Sequence, residues 1–120
     1  MSDAKRIWFI SRSQKDLLTL PRDVQEELLA GFDAARLGGK IISAKPLNIV
    51  PGGMEIVVDF NTDTYRGVYT TALRSGIYVL HCFKKKSKKG IKTPQNDLEL
   101  IKSRFKLARV HHERFSNKTQ

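Results

Sequence analysis

Three strand-like segments follow one another with almost nothing between them: Met54 to Phe60, Tyr65 to Leu73 and Ile77 to Phe83. The first alternates Met54, Ile56, Val58 and Phe60 on one face with Glu55, Val57 and Asp59 on the other, the two-residue period of a pleated strand. Asn61-Thr62-Asp63 and Ser75-Gly76 are the only joints. Connections that short predict an antiparallel meander. One face of such a sheet can be buried under helices, which leaves the other free for function.

The flanking chain supplies those helices. Arg6 to Ile10 is β-branched and aromatic and reads as a short first strand. Ser11 and Ser13 are candidate N-caps for a helix through Leu18, and Pro21 is placed to open a second. Leu17, Leu20, Val24, Leu28, Phe32 and Ala35 recur at three- and four-residue steps, and Gly38-Gly39 ends the run. This pattern predicts a helical hairpin or kinked helix. Near the C-terminus, Thr93-Pro94 precedes Leu98, Ile101, Phe105, Ala108 and His112 on one helical face. The expected class is α+β: an N-terminal helical hairpin packed on a small antiparallel sheet, made of the short first strand plus the three-stranded meander, and a C-terminal helix. Residues 1–120 read as one domain, with 115–120 as a polar tail expected to fray.

Charge separates the chain into unlike parts. Residues 1–80 hold ten Lys and Arg against nine Asp and Glu, whereas residues 81–120 hold twelve against three. The last third therefore carries +9 of the net +10. A localised basic surface favours a polyanionic partner. Its centre is Lys84, Lys85, Lys86, Lys88, Lys89 and Lys92, which directly continue the last strand. A solvated, self-repelling loop is the plain reading of such a run. Against it stand the strand that delivers the lysines and the helix N-terminus that follows them. The single cysteine, Cys82, lies in an apolar strand pattern and allows no intrachain disulfide. A reducing, cytoplasmic setting fits, and no apolar run is long enough to span a membrane.

Conventional enzyme signatures are missing. No phosphate-cradling glycine pattern occurs, so no nucleotide cofactor is expected. His111 and His112 are helical neighbours that point about 100° apart and cannot share a metal, so no metal site is expected either. His81, between Leu80 and Cys82, reads as a core or interface histidine. Arg66 stands out: it alternates with Val68 and Thr70, a charge set into a sheet face.

The succession KPLNIVPGGMEI, TYRGVY and IYVLHCFKKKSKKGIKTP, followed by a basic helix, resembles the RelE/ParE superfamily of bacterial toxins, and most closely its HigB-like, phage-derived branch. The likeness spans about residues 5 to 110. It implies the toxin of a type II toxin–antitoxin pair, a ribosome-dependent endoribonuclease that lets the ribose 2′-hydroxyl attack the adjacent phosphate. Such chemistry asks the protein to orient the backbone and neutralise charge, which arginines and lysines can do without a triad. By position, Arg66, Lys85 and Lys86 match the family's catalytic cations. Lys84, Lys88, Lys89 and Lys92, with Arg104 and Arg109 on the last helix, become RNA contacts. His81, His111 and His112 are the candidates for acid or base work, since no tyrosine follows residue 78. The implied partners are mRNA, the ribosome and an acidic antitoxin with a helix-turn-helix, in an assembly such as a heterotetramer. Two alternatives stay open: a non-catalytic basic RNA- or DNA-binding protein, and a ParE-like inhibitor of DNA gyrase.

Overall fold

A computed structural model describes residues 5–85 and 93–119, with side chains through 116. The elements in chain order are β1 (Arg6–Phe9), α1 (Ser13–Leu18), α2 (Arg22–Arg36), β2 (Ala44–Pro46), β3 (Gly53–Phe60), β4 (Asp63–Thr70), β5 (Gly76–Lys85) and α3 (Gln95–Thr119). This is a mixed α+β architecture built on one five-stranded sheet, ordered β1-β5-β4-β3-β2.

Two details of the expected sheet are corrected. The sheet is not antiparallel throughout, because β1 pairs parallel to β5, with Arg6 opposite Gly76 and Phe9 opposite Val79. A fifth strand, β2, lies antiparallel on β3, with Lys45 opposite Glu55. The chain leaves β1 through α1 and α2, enters the sheet at its far edge and meanders back until β5 meets β1. The expected hairpin also divides: α1 has only six residues and lies against β5, while α2 packs across β3, β5, β1 and β4. Neither serine caps α1, which starts after Arg12 without a side-chain cap.

Each face of the sheet has its own core. Leu17, Val24, Leu28 and Phe32 meet Ile56, Val58, Tyr65, Tyr69 and Val79 on one side. The helix comes close because β4 offers Gly67: a Cβ there would stand 2.8 Å from both Leu28 Cδ2 and Phe32 Cζ. At the other end of α2, Gly38 takes φ 79°, and the amides of Gly38 and Gly39 donate to the carbonyls of Ala35 and Ala34, the Schellman pattern that satisfies terminal carbonyls. Across the sheet, Ile101, Phe105 and Ala108 of α3 pack on Val50, Val68, Tyr78 and Leu80. β5 is thus covered on both faces, and Gly76 to Phe83 are all buried. α3 remains helical to Thr119, through most of the stretch expected to fray.

A β-bulge decides which side chains of β5 share a face. Val68 pairs with His81, but Tyr69 pairs with Val79, so Leu80 is an extra residue on β5. Leu80 and Phe83 consequently both join the α3-side core, while Val79 and Cys82 join the α2-side core. His81, Phe83 and Lys85 follow on the α3 side.

Candidate functional site

That face of the sheet carries a row of charges running from the edge strand inward. Lys45 on β2 lies opposite Glu55 on β3. Glu55 lies opposite Val68, two positions along β4 from Arg66. Arg66 lies opposite Phe83, two positions along β5 from Lys85. Diagonal neighbours of this kind are within reach for long side chains.

Arg66 is the organising group, although it is neither an edge residue nor solvent-facing. It is 4% exposed, and its Nη1 donates to Glu55 Oε1, a carboxylate that is itself 3% exposed. Lys45 Nζ stands 3.7 Å from the same oxygen, with half of its side chain exposed. Among the described residues, Arg66 Nε and Glu55 Oε2 are buried without a hydrogen-bond partner. Burial holds the Lys85 ammonium below the usual lysine pKa, and the Arg66 guanidinium lowers it further; the Glu55 carboxylate opposes the shift, and Lys45 adds to it. One carboxylate therefore sits among three cations. The surplus of positive charge at the partly exposed Lys85 is what an approaching phosphate would neutralise. Lys86, Lys88, Lys89 and Lys92 lie outside the described residues.

The histidines fall elsewhere. His81 Nε2 is 2.7 Å from Asp97 Oδ1, and its Nδ1 is 3.7 Å from Asp16 Oδ2. Its ring stacks on Phe83, with centroids 4.5 Å apart. It lies four positions from Lys85, about 13 Å along β5. His111 Nδ1 lies 2.9 Å from the Tyr78 hydroxyl, and His112 Nδ1 lies 3.0 Å from Ser75 Oγ. His111 thus meets β5 about 23 Å of strand from Lys85, and His112 meets the turn before it, about 33 Å away. None of the three is brought to the Lys45–Lys85 row.

Arg104 is corrected outright as an RNA contact. It is 5% exposed, and its Nη1 donates to Asp16 Oδ2 and to the Leu80 carbonyl, each at 2.9 Å. With His81 and Asp97 it joins α1, β5 and α3 into one clamp. Beside the clamp lies a cavity of about 600 Å³ whose lining includes Asp16, Tyr65, His81 and Asp97. Arg104→Ala should lower stability by about 2–3 kcal/mol, the scale for losing hydrogen bonds to a charged group. Urea unfolding measures the loss. Arg109 is exposed on α3, and Lys84, half exposed, is paired with Asp63 at 3.1 Å. Burial pushes the Cys82 thiol up to about 12, with Asp16 adding to the shift and Arg104 opposing it, which leaves the thiol inert.

Sequence reasoning passed over Glu55 and Lys45. The alternation put Glu55 on the polar face of its strand, yet nothing local pairs it with Arg66 eleven residues on. No helix of the described residues is long and apolar enough to cross a membrane. A family model described as phage derived protein Gp49-like matches residues 15–106, which include the whole Lys45, Glu55, Arg66 and Lys85 row. No curated protein matches the chain.

Proposed function

The chain belongs to the Gp49-like family of phage-derived proteins, a family associated with the toxins of toxin–antitoxin systems, and from that premise we propose that it is a ribosome-dependent endoribonuclease that cleaves mRNA. The observation that carries this reading is the cluster of three cations around one buried carboxylate, with a lysine of lowered pKa at its solvent side. The RNA brings its own nucleophile. As the 2′-oxygen–phosphorus bond forms and the phosphorus–5′-oxygen bond breaks, charge builds on the non-bridging oxygens, and preformed cations stabilise it. Lys85 in its ammonium form meets those oxygens and gives a proton to the departing 5′-oxygen. Arg66, fixed by Glu55, supplies positive potential that needs no reorganisation during the reaction. Glu55, 3% exposed and held by Arg66, is the fixed counter-charge of the cluster and does not touch the RNA; the 2′ proton passes to solvent water. Lys45 lies on the edge strand of the row, and Lys86, next in sequence to Lys85, is the candidate second cation.

Added to translating, programmed ribosomes, the protein should cut the message and leave 5′-hydroxyl ends with cyclic phosphates, read by primer extension and end-labelling. Intact message would overturn the nuclease reading. If message stayed intact while purified gyrase lost its supercoiling activity, the gyrase alternative would replace it.

A further inference from the structure

A second basic surface lies away from the Lys45–Lys85 row. α3 and the turn before β3 enclose a groove of about 400 Å³. Ile49, Val50 and Pro51 form its apolar wall, and Lys102, Lys106 and Arg109 form its rim. The rim residues are spaced i, i+4, i+7, so they lie on one side of the helix over about 10 Å. Glu99 is the acidic group at the groove, which leaves the rim three cations to one anion.

We infer that this groove holds an acidic, amphipathic segment of a protein partner: apolar side chains against Ile49 and Pro51, and carboxylates facing Lys102, Lys106 and Arg109. A polypeptide fits better than RNA. Single-stranded RNA is gripped by bases stacked on open rings, and the ring in this groove, Phe105, is 8% exposed and packed in the α3-side core. The wall instead offers aliphatic surface, which a helix or extended segment buries and a sugar-phosphate chain does not. The segment needs roughly two helical turns to match the rim. Identifying the partner as the antitoxin rests on the toxin reading; the chemistry of the groove does not.

The test uses the full-length protein and the product of the reading frame adjoining its own. In binding assays, Lys102→Glu/Lys106→Glu should weaken the complex by about 100-fold or more, because two rim cations become repulsive. Ile49→Ser should weaken it as well, and it leaves the charge of the groove unchanged. Lys102 and Lys106 are exposed and Ile49 is half-buried against the α3-side core, and circular dichroism with thermal unfolding checks that the variants fold. Message cleavage on ribosomes should stay within about twofold of wild type, since neither substitution touches the Lys45–Lys85 row. Wild-type affinity in both variants, or no complex with the wild-type protein, overturns the inference while leaving the nuclease reading intact. Lost cleavage with an unchanged complex assigns the groove to RNA and also overturns it. If the wild type cuts no message but the complex forms and depends on the rim, the nuclease reading falls and the groove stands.

Discussion

Arg66→Ala should destabilise the protein by about 3–5 kcal/mol, the cost of leaving one partner of a buried ion pair uncompensated. The substitution removes the guanidinium from a carboxylate that is 3% exposed, and the remaining cations of the cluster, Lys45 at 3.7 Å and Lys85, are both partly in solvent. A domain of this size has about 5–15 kcal/mol of stability in total, so the loss is a large share of it. Urea unfolding would show a lower midpoint with an unchanged slope. The double variant Glu55→Leu/Arg66→Met should recover most of the loss, because neither charge is then buried alone, and the resulting cycle should give a coupling of about 2 kcal/mol or more. An Arg66→Ala midpoint equal to wild type would mean that Glu55 does not depend on this pair. A lost activity in Arg66→Ala is accordingly ambiguous between chemistry and folding.

The same pair shows where the sequence could be read and where it could not. Arg66 was visible as a charge placed in alternation with Val68 and Thr70, and the meander that positions it follows from the Asn61-Thr62 and Ser75-Gly76 joints. Likewise, the stripe from Leu17 to Phe32 and the Gly38 stop are local patterns, and each appears in the structure. Pairings between distant segments left no such trace. Ala44-Lys45-Pro46 is too short to alternate and carries a proline, which an edge strand tolerates because it need not donate inward. The parallel match of β1 to β5 joins residues about 70 apart in sequence. The extra residue at Leu80 is decided by how β5 packs between two cores, and it moves His81 and Lys85 to the face that Arg66 shares. Arg104 read as one more surface cation because the acid that buries it, Asp16, lies 88 residues earlier.

Lys85→Ala is the cleaner probe of the chemistry. The side chain is only partly buried at the end of β5 and has like-charged neighbours, so its removal should change stability by no more than about 0.5 kcal/mol. Message cleavage should fall by about 10²–10⁴-fold, the range for losing a positioned proton donor or a preorganised charge. The pH profile separates these roles from mere RNA attraction. Burial, with the Arg66 and Lys45 charges, lowers the Lys85 pKa from 10.5, so its positive form is complete at lower pH and is lost as pH rises through the lowered value. Single-turnover cleavage, corrected for RNA breakdown without protein, should therefore decline on the alkaline side earlier than an ordinary lysine would allow. Lys85→Arg keeps its charge across that range, so it should retain RNA binding and lose the alkaline decline, while cleaving more slowly because a guanidinium is a poor proton donor. Equal alkaline profiles for the two proteins would remove Lys85 from proton transfer. A Lys85→Ala protein that cleaves at the wild-type rate would remove it from the site.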